Sequence, residues 1–303
     1  MNQLKGLGVA MVTPFKKDLT PDLPALKKLT EHLVTNGADY LVVMGTTGES
    51  VTLDKEDKKA VLDTVLSANA GKKPVVLGVG GNNTQELCNQ LSRLDATGLS
   101  AILSVTPYYN KPTQNGLFEH YKALSEHSKL PIILYNVPGR TSVNLMPETV
   151  SRIAFDCRNV IGIKEASGNM EQIMTVVNNT PKEFLVISGD DALTLPLISA
   201  GCDGVISVVG NAFPKEFSEM VHFALENKYE EARAIHYKLL EIIQNLFVEG
   251  NPAGIKEVLS HLDICDNYLR LPLVPVSQTT SERLRRLMID EEFIACVPSL
   301  LII

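Results

Sequence analysis

The chain has 303 residues, 45% of them hydrophobic, which is enough for one large α/β domain or for a barrel with an extension. A formal net charge of -7 leaves no basic footprint, and the nearest cationic groupings, Lys72-Lys73 and Arg283 to Arg286, read as solvated surface; a nucleic-acid partner is therefore not expected. Five cysteines (Cys88, Cys157, Cys202, Cys265, Cys296) are scattered without a CxxC pair, and the six histidines lack ligand spacing, so neither a disulfide framework nor a metal site is expected.

The opening stretch Met1-Asn2-Gln3-Leu4-Lys5-Gly6-Leu7-Gly8 has no signal-peptide apolar core, and no segment reaches membrane-spanning length. A reduced, cytoplasmic setting away from membranes is the expectation. Eight short apolar runs then alternate with longer helical patterns. The runs are Leu7–Thr13, Tyr40–Gly45, Pro74–Gly80, Ala101–Thr106, Pro131–Asn136, Val160–Glu165, Phe184–Gly189 and Gly204–Val209. They are continuously apolar rather than alternating, as strands of a parallel sheet buried on both faces should be.

The connectors carry helical spacing. Leu87, Leu91 and Leu94 share one face, with Gly98 as the predicted stop, and Phe217, Val221 and Leu225 repeat the spacing later. Pro147 sits where a first helical turn begins. Beyond Val209 the strand signal fades, and Ala232, Ile235, Leu239, Leu240 and Ile243 form an apolar stripe. Leu271-Pro272-Leu273-Val274-Pro275 interrupts the helical pattern as an extended link. The reading is α/β: a (β/α)8 barrel over residues 1–224 followed by a C-terminal helical extension over 225–303. A doubly wound open sheet is the competing architecture, which periodicity separates only weakly.

In a parallel barrel the C-terminal strand ends and the loops after them build the active site. Lys164 is the only charge inside Val160-Ile161-Gly162-Ile163-Lys164. A buried ammonium is costly unless it is paired or its surroundings let it lose its proton, and the free amine is what attacks a carbonyl to form a Schiff base. The plainer alternative is a structural lysine that snorkels or pairs with Glu165. Gly45-Thr46-Thr47-Gly48-Glu49-Ser50 follows the second strand; it suits a carboxylate, or more weakly a phosphate, since the Walker lysine and GxGxxG spacing are missing. Tyr109 and Tyr135 stand at strand ends, where a lone tyrosine normally packs. With the Thr47 hydroxyl between them they form a candidate proton relay. Arg140 follows a Pro-Gly turn as a bidentate carboxylate donor. Amine, relay and anion clamp together describe a lysine-dependent aldolase acting on an oxo acid.

Five segments carry a resemblance that spans nearly the whole chain: Gly45 to Ser50, Tyr108-Tyr109-Asn110-Lys111-Pro112, Tyr135-Asn136-Val137-Pro138-Gly139-Arg140-Thr141, Gly162-Ile163-Lys164-Glu165-Ala166 and Ser188-Gly189-Asp190-Asp191. In order and spacing the chain resembles the 4-hydroxy-tetrahydrodipicolinate synthase (dihydrodipicolinate synthase) family of pyruvate-dependent aldolases. The resemblance implies that Lys164 forms the imine with pyruvate and that Tyr135 shuttles protons, linked through Thr47 to Tyr109. It also implies that Tyr109 serves a neighbouring subunit's site, in a homotetramer built as a dimer of dimers. By the same resemblance Arg140 binds the carboxylate of L-aspartate 4-semialdehyde, the Thr46 and Thr47 amides hold pyruvate, the backbone of Gly189 and Ile206 lines the imine pocket, and no cofactor is needed. Ser50, Asn82, Glu86 and Tyr108 match the pocket in which regulated members bind L-lysine. Lys58 stands where lysine-sensitive relatives commonly carry histidine, and with Lys55 nearby it opposes a cationic ligand, so weak or absent inhibition is the expectation. Two alternatives are a sugar-acid lyase such as N-acetylneuraminate lyase, which shares the lysine and tyrosine, and a non-catalytic barrel that senses a small acid.

Overall fold

A computed structural model describes residues 2–295. Eight parallel strands, β1 (Gly6–Ala10), β2 (Tyr40–Val43), β3 (Val75–Gly78), β4 (Ala101–Val105), β5 (Ile132–Asn136), β6 (Val160–Glu165), β7 (Leu185–Ser188) and β8 (Gly204–Ser207), close in sequence order into a barrel. β8 returns to β1 with Gly204 opposite Gly6, which excludes the open sheet. Asn211 seals this seam: its Nδ2 donates to the carbonyls of Ala10 and Val208, and its Oδ1 accepts the Val12 N–H.

The helices are α1 (Leu23–Thr35), α2 (Lys55–Asn69), α3 (Thr84–Arg93), α4 (Gln114–His127), the single turn α5 (Pro138–Thr141), α6 (Pro147–Asp156), α7 (Met170–Asn179), α8 (Thr194–Ser199) and α9 (Pro214–Leu225). After them come α10 (Tyr229–Leu246), α11 (Ala253–His261) and α12 (Gln278–Asp290). Side-chain caps start many of them; the Asp22, Asp54, Asn83, Thr113 and Asn169 side chains each accept a first-turn N–H. No helix among the described residues is long and apolar enough to cross a membrane.

The continuous hydrophobicity of the strands resolves into two layers. Tyr40 and Val42 of β2 and Ile133 and Tyr135 of β5 fill the barrel interior, whereas Leu41, Val43, Ile132 and Leu134 pack beneath the helices. Gly8 makes room for the interior layer, because a Cβ there would lie 2.2 Å from the Tyr40 ring.

Several boundaries differ from the sequence-based expectation. Six strands end one to three residues early, while β5 and β6 end where expected; Met11 and Val79 keep one ladder bond each, to Val42 and Leu103, as their chains already turn into loops. α3 stops at Arg93 rather than at Gly98, because Asp95 accepts from the Thr97 N–H and hydroxyl and holds a turn instead. Leu225 ends α9 at 36% exposure, off the buried face made by Phe217 and Val221. The link at 271–275 is irregular, as expected, with Leu271 and Val274 exposed. Cys88, Cys157, Cys202 and Cys265 are buried free thiols, and Cys296 lies outside the described residues.

At the floor of the barrel Asp39 accepts the Leu7 N–H at 2.7 Å and pairs with His222 at 2.8 Å. The hydrogen bond to Asp39 raises the His222 pKa from its ordinary 6.5, against partial burial. A raised folded pKa means that this stabilisation is complete below the unfolded value and is lost as pH climbs through the folded one. His222→Gln should therefore lower Tm by roughly 1–2 °C in mildly acid buffer, as for a half-exposed pair, and by less in alkaline buffer. Thermal melts across that range check it, and a difference that grows with pH overturns the assignment.

Candidate active site

The C-terminal strand ends surround a cavity of about 250 Å³ walled by Lys164, Tyr135, Thr46, Thr47, Arg140 and Gly189, with Ala10, Val42 and Leu103 below. Successive strand residues face opposite ways, so Lys164 reaches the cavity while Glu165 faces the helices. There Glu165 accepts from Asn136 at 3.0 and 3.1 Å, Gln172 at 3.0 Å and the Ser167 N–H at 2.8 Å. Burial pushes its carboxyl upward, opposed by those donors. The structural pairing of Lys164 with Glu165 is thereby ruled out. Among the described residues Lys164 has no ion-pair partner, and it is only 6% exposed. Tyr135 stands opposite it in the β5–β6 register, with Nζ 4.5 Å from the ring centroid.

The segment from Gly45 to Glu49 forms a tight turn in which the Gly48 N–H donates to the Gly45 carbonyl and the Glu49 N–H to that of Thr46. The Thr46 and Thr47 N–H groups find no acceptor among the described residues, which suits them to an anion. A phosphate cradle on a helix N-terminus is not built here: a 3-10 turn over Ser50–Thr52 follows, and α2 starts only at Lys55. Arg140, on α5, lies exposed at the cavity rim, free of any carboxylate partner among the described residues. Gly189 packs directly on the lysine arm, since a Cβ there would lie 3.0 Å from Lys164 Cε. Asp191 shapes the neighbouring wall at Val208 by accepting the Val208 and Val209 N–H groups; complete burial raises its pKa to about 6 against those bonds.

Two expected residues are not among those that wall this cavity. Tyr109, in a left-handed conformation at φ 70°, is 88% exposed, and Ile206 is buried in the interior layer with Ile187 and Tyr135. No hydrogen bond joins Tyr135 to Thr47 among the described residues; the Thr47 hydroxyl accepts instead from Asn251 Nδ2 at 3.0 Å. Asn82 and Tyr108 exchange two hydrogen bonds, Asn82 Nδ2 to the Tyr108 carbonyl and the Tyr108 N–H to Asn82 Oδ1, but none ties Ser50 or Glu86 to them.

Sequence reading missed the contribution of the extension. Phe247 and Asn251 line the cavity, and Lys256 pairs with Glu49 at 2.5 Å with both side chains fully buried. Lys256 follows the apolar run Ala253-Gly254-Ile255, but Glu257 directly after it makes the cation look like ordinary helix surface.

A buried amine beside a phenol, two free amides and a rim guanidinium can form an imine with a carbonyl compound that also bears a carboxylate. The model of the Dihydrodipicolinate synthetase family matches residues 3–290. The 4-hydroxy-tetrahydrodipicolinate synthase of Flavobacterium psychrophilum is 52% identical, over 94% of this chain and 97% of its own length. That of Parabacteroides distasonis is also 52% identical, over 94% and 96%. The crystal structure of dihydrodipicolinate synthase from Thermotoga maritima superposes with a TM-score of 0.93 at 42% identity, covering 96% of this chain and all of that one. The fold, the placement of the amine and these likenesses agree: the chain belongs to the dihydrodipicolinate synthetase family.

Proposed function

We propose that this protein is a lyase that condenses pyruvate with L-aspartate 4-semialdehyde to give 4-hydroxy-tetrahydrodipicolinate, on the diaminopimelate route to L-lysine. The observation that carries the reading is Lys164, buried without an ionic partner in the cavity that also holds the free amides of Thr46 and Thr47. The pyruvate carboxylate docks on those amides, which brings its keto carbon to Nζ. Attack gives a carbinolamine, and loss of water gives the imine. Tyr135, the nearest phenol, carries the protons that these steps exchange. The imine withdraws electrons from the adjacent methyl group, a proton leaves, and the resulting enamine carbon attacks the aldehyde, whose oxygen takes up a proton. The amine of the semialdehyde then adds to the imine carbon, which closes the ring and expels Lys164 as the free amine. Lysine supplies the covalent handle, so the chemistry as written uses neither metal nor cofactor. The barrel (1–224) carries these groups, and the extension (225–303) contributes Phe247 and Asn251 to the cavity wall.

Assay of the purified protein with both substrates tests the activity. Cleavage of N-acetylneuraminate with no consumption of the semialdehyde would favour the sugar-acid lyase, and binding of pyruvate without turnover would favour a sensor.

Arg140 is placed to take the carboxylate of the second substrate. Arg140→Ala should cost roughly 1.5–3 kcal/mol, about 10- to 150-fold in kcat/KM for the semialdehyde, and leave imine formation with pyruvate nearly unchanged. Equal losses in a borohydride-trapping assay and in turnover would make Arg140 a structural residue. Tyr109, exposed in the single chain, completes the site of a neighbouring copy in a cytoplasmic homotetramer built as a dimer of dimers.

The surface around Asn82 and Tyr108 faces a regulatory question. Lys55 and Lys58 are both exposed on α2 close in sequence to Ser50, and like charge opposes a cationic ligand there. Titration with L-lysine should give weak inhibition or none, whereas half-inhibition below about 1 mM, a binding free energy near -4 kcal/mol, would overturn this reading of Lys58.

A further inference from the structure

We infer that the C-terminal extension sets the pyruvate-binding loop: Lys256, through Glu49, and Asn251, through Thr47, are positioning residues for capture of the oxo-acid carboxylate. This rests on the reading that the Thr46 and Thr47 amides receive that carboxylate. The barrel itself fixes only part of the loop, through Thr13 Oγ1, which donates to the Gly48 carbonyl at 2.7 Å. Thr46 is exposed, and a Cβ built on Gly45 would meet nothing within 4 Å. Its shape is nevertheless constrained, because Glu49 holds a left-handed backbone at φ 51°, unusual for a residue with a side chain.

What holds Glu49 there comes from the far end of the chain. Its Oε1 accepts Lys256 Nζ at 2.5 Å and its Oε2 the Arg270 N–H at 3.0 Å. Lys256 also donates to the Tyr268 carbonyl and lies 4.2 Å from the Phe15 ring centroid. Both charged side chains are completely buried. A buried pair of this kind adds little net stability over an apolar substitute, but its geometry is strict, so it serves register better than strength.

Asn251 acts on the hydroxyl rather than the backbone. An amide nitrogen only donates, so the 3.0 Å contact from Asn251 Nδ2 uses a Thr47 lone pair and leaves the hydroxyl proton uncommitted. Thr47 is 3% exposed and, among the described residues, donates that proton to no one. Since Thr47 lines the cavity, the acceptor is what the cavity receives. Asn251 thus makes Thr47 a donor toward an anion, alongside the two free amides.

The test begins with borohydride trapping of pyruvate by the unaltered protein, followed by two series of variants. Glu49→Gln/Lys256→Met removes both charges without stranding one in the core. It should keep the fold and roughly the parental kcat, and raise the pyruvate KM about tenfold, the loss expected for one well-placed contact. Asn251→Ala should raise that KM several-fold, and Asn251→Asp should do worse, because a carboxylate accepts the Thr47 proton and turns it from the cavity. In a Thr47→Val background the gap between the Ala and Asp variants should shrink to what charge alone gives. A lowered Tm with unmoved KM in the double variant, an Asp variant no worse than Ala, or an undiminished gap in the Thr47→Val background overturns the inference. Should the double variant fail to fold, the Asn251 series decides alone. No trapping by the unaltered protein would sink the site reading itself, a result distinct from normal trapping with silent variants.

Discussion

Replacing Lys164 by Ala should leave a folded barrel that traps no pyruvate on borohydride reduction and turns over on the order of 10³-fold more slowly or worse, the scale on which losing a covalent nucleophile operates. Lys164→Arg should be equally dead, because a guanidinium keeps its proton and forms no imine. In the unaltered protein, peptide mapping after reduction should find the pyruvyl adduct on Lys164 and on no other lysine. The stability effect should run the opposite way. Lys164 is 6% exposed with no ion-pair partner among the described residues, so Lys164→Met, of similar length and apolar, relieves a buried polar group and should raise Tm by a few degrees. Loss of activity with a gain in stability marks a residue kept for chemistry. An adduct on a different lysine, or a Met variant less stable than the parent, would remove Lys164 from the centre of the mechanism.

The eight strands were legible because burial on both faces leaves an unbroken apolar run, and the lysine was legible because it breaks one. Arg140 and the Thr46-Thr47 loop could be read for the same kind of reason, as residues whose chemistry exceeds what a turn requires. The pairing alternatives for Lys164 were settled only by strand geometry: adjacency to Glu165 in sequence places the two on opposite faces, where Glu165 meets Asn136 and Gln172. What sequence could not convey was distance. Asn251 meets Thr47 across 204 residues and Lys256 meets Glu49 across 207, and no local period encodes such a pairing. Lys256 also went unnoticed, since a lysine beside a glutamate inside a helix reads as solvated surface until the second layer of packing is known. Tyr109 is the converse: its motif was plain, but a single chain leaves it 88% exposed and away from the cavity its motif pointed to.

Gly189→Ala should damage the chemistry more than the fold. A Cβ at this position would lie 2.6 Å from Ala166 Cβ, 3.0 Å from Lys164 Cε and 3.1 Å from the Glu165 carbonyl oxygen. The backbone has little freedom to retreat, because the Gly189 N–H donates to that same carbonyl at 2.8 Å. Its φ lies outside the left-handed region, so the cost is steric rather than torsional. Overpacking of this kind typically costs about 1–3 kcal/mol of stability, which this barrel should survive with a Tm lower by a few degrees. The chemistry should suffer more. The flexible neighbour is the lysine arm, and displacing Nζ by about 1 Å from its attack position costs on the order of 10²-fold. Trapping of pyruvate and overall turnover should fall together, since both wait on the same amine. Ala166→Gly added to Gly189→Ala removes the 2.6 Å clash but not the 3.0 Å contact with Lys164 Cε, so it should restore Tm more fully than it restores the trapping rate. If Gly189→Ala trapped pyruvate at the parental rate, or if Ala166→Gly rescued trapping completely, the glycine would be there for wall packing alone and not to leave the lysine its path.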